Sequence, residues 1–90
     1  MYLVRVEHDV PDYDAWKAAF DNDPLGREQA GVRRHRISRA VDDPSHVMID
    51  LELDTREQAE GLVAALQGLW SRVDVMRNPS ARIAEVVEST

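Results

Sequence analysis

Apolar positions in this chain recur in steps of two in some stretches and in steps of three and four in others, and each change of step marks a predicted element. Residues 32–53 are the organising stretch. Val47, Ile49, Leu51 and Leu53 alternate there with Met48, Asp50 and Glu52, the period of a strand that covers a core with one face only. Asp42-Asp43-Pro44-Ser45 supplies a turn ahead of it, so the stretch reads as a hairpin. Residues 2–10 form another one-sided strand, with Tyr2, Val4, Val6, His8 and Val10 on one side and a stop at Pro11. Ala81, Ile83, Glu85 and Val87 alternate with Arg82, Ala84, Val86 and Glu88 in a last strand.

Helical spacing fills the gaps. Asp12 can cap a helix whose buried side is Tyr13, Trp16, Ala19 and Phe20. Asp23-Pro24 reads as a cap with proline at the first helical position, predicting a short helix over residues 25–30 that Gly31 ends with a positive φ. Thr55 with Gln58 fits a capping box, as does Asp54 with Glu57, and the stripe Ala59, Leu62, Val63, Leu66, Leu69, Trp70 follows. Gly61 and Gly68 interrupt the opposite side of that helix, where another backbone approaches or the helix tolerates the cost. Val73, Val75 and Met76 suggest a pinned loop, and Asn78-Pro79 a turn. The order is strand, helix, strand, strand, helix, strand. It predicts a single α+β domain over residues 1–90, a ferredoxin-like βαββαβ fold with a four-stranded antiparallel sheet and both helices on one face.

Composition narrows the function classes. A net charge of −6 argues against a general nucleic-acid or anionic-membrane binder, which needs a positive face. The run Arg33-Arg34-His35-Arg36 does not change this, because alternation splits it between two faces. Without cysteine there is no disulfide, thiolate nucleophile or cysteine metal site. His8, His35 and His46 lack the spacing of a metal site, and no serine sits in a glycine-flanked elbow. The N-terminal residues carry charges inside their apolar run, unlike a signal peptide, and no stretch reaches the ~20 apolar residues of a membrane span. The cytoplasm is the expected location, with no cofactor.

A four-residue hairpin loop would set Arg39 opposite Met48, Ile37 opposite Asp50 and His35 opposite Glu52. The sheet's uncovered face would then mix Leu3, Ile37 and Met48 with Arg5, Glu7, His35 and Arg39. Apolar residues among charges of both signs suit a self-complementary contact, so a homodimer through the sheet faces is expected.

Pro11-Asp12-Tyr13-Asp14-Ala15-Trp16-Lys17, Phe20, Arg27, Gly31-Val32-Arg33-Arg34, Arg39, Asp42-Asp43-Pro44 and Val47-Met48-Ile49-Asp50-Leu51-Glu52 together resemble the dimeric α+β-barrel superfamily. These are relatives of the antibiotic biosynthesis monooxygenases, some of them bacterial proteins of unknown function labelled cyclases. The resemblance covers nearly the whole chain. It implies a barrel built from two sheets at a dimer interface, with a ligand pocket between sheet and helices in each subunit. Cofactor-independent members are described with an asparagine beside a tryptophan and an arginine or histidine. Trp70 and Arg82 stand at two such places, whereas Asn22 and Asn78 are both expected in loops.

The candidate site follows. His8, on the helix side of the first strand, is a proton acceptor or a hydrogen-bonded core residue. Trp16, Phe20 and Trp70 are core and ligand wall together. Arg34 and Arg36, in the register above, share the helix side and either snorkel or fork onto a carboxylate or enolate, with Arg27 beside them. The expected function is an accessory enzyme, monooxygenase- or cyclase-like, acting on a small aromatic or enolisable organic acid. The alternative is a non-catalytic small-ligand-binding or stress-associated dimer.

Overall fold

The computed structural model describes residues 1–72 and 76–90. Its elements are β1 (Tyr2–Asp9), α1 (Tyr13–Asp21), β2 (Arg34–Ala40), β3 (Asp43–Leu53), α2 (Arg56–Trp70) and β4 (Arg77–Glu85). The sheet is antiparallel, in the order β2-β3-β1-β4. This is the ferredoxin-like arrangement expected from the alternation and the capping signals. Val73 and Val75 of the expected pinned loop lie outside the described residues.

The core forms where the one-sided strands meet the helices. Val4, Val47, Leu53 and Ala59 are fully buried, and Val6, Ile49, Leu51, Leu62 and Trp16 nearly so. Central strands β1 and β3 align Val4 with Leu51 and Val6 with Ile49, so the two alternations close one apolar surface. α1 starts where expected, with the Asp12 carboxylate accepting from the Ala15 N–H. α2 carries both arms of the Thr55–Gln58 capping box: the Gln58 backbone N–H donates to the Thr55 hydroxyl, and the Thr55 backbone N–H to the Gln58 side-chain Oε1. Among the described residues no other backbone or side chain comes near Gly61 or Gly68. Gly31 is different. Its φ is +100°, and a Cβ there would stand 2.6 Å from the Gln58 amide nitrogen.

Three expectations fail, each for a local reason. Residues 25–30 form turns, not a helix, because Gly26 takes φ +65° and Asp23 φ +50°. The Asp23 carboxylate still caps, accepting from the Arg27 N–H at 3.0 Å. Asn78-Pro79 makes no turn, but lies inside β4, where the pairing with β1 slips by a residue. Proline fits there because β4 is an edge strand.

The largest correction concerns the hairpin. Only Val41 and Asp42 separate β2 from β3, and the ladder is irregular between Arg39 and Ala40. Pro44 has no N–H to give the ladder, and the Asp43 carboxylate takes the Ser45 N–H. Beyond that irregularity Ile37 opposes Ile49, Ser38 opposes Met48 and His35 opposes Leu51, one residue from the expected register. One residue reverses every side chain of a strand. His35, Ile37 and Arg39 therefore share the helix side. Arg34 and Arg36 stand on the open face opposite Glu52 and Asp50.

Candidate functional site

Trp16, one turn into α1, is the centre of an aromatic stack. Its ring lies 5.3 Å from the His8 ring, 5.7 Å from Tyr13 and 5.3 Å from Phe20. Phe20 meets His35 edge-on at 5.2 Å, and the Arg39 guanidinium covers Tyr13 at 4.6 Å. Rings this large hold the α1 backbone away from the sheet, whereas α2 lies close along β1, β3 and β4. A cavity of about 100 Å³ remains beneath α1 and beside α2. Its floor is Val6, His8, Ile49 and Leu51, with the buried Trp16 and Leu62 beside them. Half-buried Phe20, Leu66, Leu69, Trp70, Met76 and Arg27 stand in the wall, together with Ala19, Asp23, Pro24 and Leu25.

His8 is the polar exception on this floor. Its side chain is 2% exposed, and Nδ1 has no hydrogen-bond partner among the described residues. Burial pushes its pKa down to about 4, and the Asp9 backbone opposes this only in part. The imidazole is therefore neutral throughout the ordinary range. His46 behaves in the opposite way. Nδ1 lies 2.9 Å from Asp9 and Nε2 3.1 Å from Glu7, and these hydrogen bonds, Asp9 first, raise its pKa.

Arg27 sits at the outer wall with its Nη1 engaged. Its Nη1 donates to the Phe20 carbonyl at 2.8 Å and lies 3.3 Å from the Asp23 carboxylate, while the guanidinium carbon stands 3.8 Å above the Phe20 ring. The structure thus brings together His8, Trp16, Phe20, Arg27 and Trp70 from the sequence-based set. It does not bring Arg34 and Arg36 to them. Those arginines line a separate depression on the open face with Leu3, Asp50, Glu52 and Val86. Arg82, opposite Arg5, is on that face too, away from Trp70. Leu66, Leu69 and Met76 line the wall without having been singled out as ligand contacts, as do Ala19, Asp23, Pro24 and Leu25. Helical spacing with Trp70 was the available signal for Leu66 and Leu69. Among the described residues no group of three histidine and carboxylate side chains is arranged to hold a metal, and no helix is long and apolar enough to cross a membrane.

No established family profile matches the chain, and no curated protein matches it in sequence. Solved structures do match in fold. A dimeric ferredoxin-like protein from an uncultured marine organism superposes with a TM-score of 0.71 at 13% identity, over 99% of this chain and 97% of its own. A protein from Nitrosomonas europaea described as an antibiotic biosynthesis monooxygenase gives 0.62 at 22% identity, over 98% and 100%. An MhuD variant with two manganese protoporphyrin IX molecules bound per active site gives 0.66 at 13% identity, over 100% and 98%. The chain has the ferredoxin-like fold that these structures share.

Proposed function

We propose that the cavity is a ligand site, and that the chain is an accessory enzyme of monooxygenase- or cyclase-like type. It acts there on a small aromatic or enolisable molecule. The supporting observation is the unpartnered Nδ1 of His8 on an otherwise apolar floor. A buried polar atom without a partner costs about 1–3 kcal/mol, and an apolar side chain of similar shape would avoid that cost. A ligand hydroxyl that reaches the His8 imidazole from the cavity would supply the missing polar partner.

The same contact serves proton transfer. A proton leaves the ligand's O–H or activated C–H for His8, the electron pair stays on the ligand as phenolate or enolate, and the imidazolium beside it keeps the site neutral overall. Trp16, Phe20 and Trp70 exclude water and hold a flat ring. The neighbours' fold and dimeric description support a homodimer through the open sheet faces. That face pairs Arg5 with Asp50 at 2.9 Å and leaves Arg34, Arg36 and Arg82 at its two edges, so a second copy can match acid to base. A solution mass of one 10.2 kDa chain at micromolar concentration would refute the dimer.

His8→Leu tests the site. The variant is expected to fold with equal or higher stability while phenol no longer raises its melting temperature beyond the effect of benzene. Deuterium uptake by cyclohexanone in D₂O is expected with the wild type and not with the variant. Equal responses from the two proteins would remove His8 from the site.

A further inference from the structure

Resting on the reading of the cavity as a ligand site, we propose that it selects a neutral hydroxy compound of one ring and rejects the corresponding carboxylate. Charge is the first ground. Among the described residues Arg27 is the one cationic side chain lining the cavity, and its Nη1 is held by the Phe20 carbonyl and the Asp23 carboxylate. Asp23 lines the cavity as well, so an arriving anion meets a carboxylate beside a cation already paired. Arg34 and Arg36, which would have received an acid, point from the opposite face of the sheet. The rest of the lining is apolar apart from His8, which stays uncharged in the neutral range. A carboxylate inside would lose its water and gain only a cation already shared with Asp23.

Size is the second ground. An engineered apolar cavity of about 150 Å³ in another protein accepts benzene. The present cavity, about 100 Å³ and bounded in part by half-buried side chains, suits one ring and not a fused system. Geometry supplies the third. Among the described residues His8 is the single uncharged polar side chain lining the cavity, so one hydroxyl on the ring finds a partner and a second group does not.

Phenol, benzene and benzoate at pH 7 separate the alternatives, with binding followed by calorimetry and by amide shifts of residues around Trp16. Phenol is expected to bind about tenfold tighter than benzene, the scale of one net hydrogen bond. Benzoate is expected to bind at least about tenfold more weakly than phenol. Asp23→Asn frees Arg27, and asparagine tolerates the φ of +50° found there. In that variant the ratio of benzoate to phenol affinity should rise severalfold. Benzoate binding as tightly as phenol, or a ratio unchanged by Asp23→Asn, would overturn the selection against anions. Phenol no tighter than benzene would overturn the role of His8 in selection. Binding of none of the three would overturn the ligand-site reading itself, and this inference with it.

Discussion

The two helices cover the same side of one sheet by different means. α2 rests close to the strands because Ala59 and Leu62 on its buried face are small or compact, and its first turn is locked by the capping box. α1 stands off on Trp16 and Phe20, and its first turn has one carboxylate cap. The distant helix roofs the cavity with Trp16, Ala19 and Phe20, and the close one walls it with Leu62, Leu66, Leu69 and Trp70. In this fold the size of the side chains under a helix decides where a ligand could go.

Removing the spacer should have the largest effect. Trp16→Ala is expected to destabilise by about 3–5 kcal/mol in chemical denaturation, because the buried ring contacts three others and its removal leaves a void among them. Half-buried Leu66, on the cavity wall, should cost less when truncated, and equal losses would mean that α1 is no more dependent on its stack than α2 on its stripe. Acid should come next. His8 has a folded pKa below its unfolded value, so the unfolded chain takes up the proton first. Its contribution is complete above about pH 6.5 and is lost as the pH falls towards 4, on the order of 3 kcal/mol in all. His46, with a raised pKa, contributes with the opposite sign: its share is full below 6.5 and fades as the pH rises through its folded pKa. Histidine ring shifts across that range distinguish the two, and an NMR titration of His8 near 6.5 would break the account of a dry floor under α1.

Smaller effects belong to α2. Thr55→Ala should cost about 1 kcal/mol through loss of the cap. Gly61→Ala and Gly68→Ala should each stabilise by up to about 1 kcal/mol, since a methyl group at either place meets nothing. A loss at either glycine would show that its face is covered, and would single out α2 as an interface.

Legibility in the sequence followed the range of the interactions involved. Strand alternation and the Thr55 cap depend on near neighbours, and both emerged as the spacing indicated. Trp16, Phe20 and Trp70 were placed at the cavity by helical spacing alone. The register of β2 was not legible, because it turns on how Asp43 and Pro44 settle at a two-residue connection. That single residue of slip moved Arg34 and Arg36 across the sheet, and with them the expected anion site. The unpartnered state of His8 was equally beyond reach, since alternation shows which side a residue faces and not whether a donor stands near it.

Gly31 joins parts of the chain that sequence keeps far apart. Because its missing side chain leaves the seat in which the Gln58 amide rests, any substitution there must both strain the approach to β2 and push away half of the reciprocal lock at the start of α2. Amides at the two places should then exchange with solvent as one cooperative unit, and an alteration in the segment after α1 would be felt first as fraying at the opposite helix.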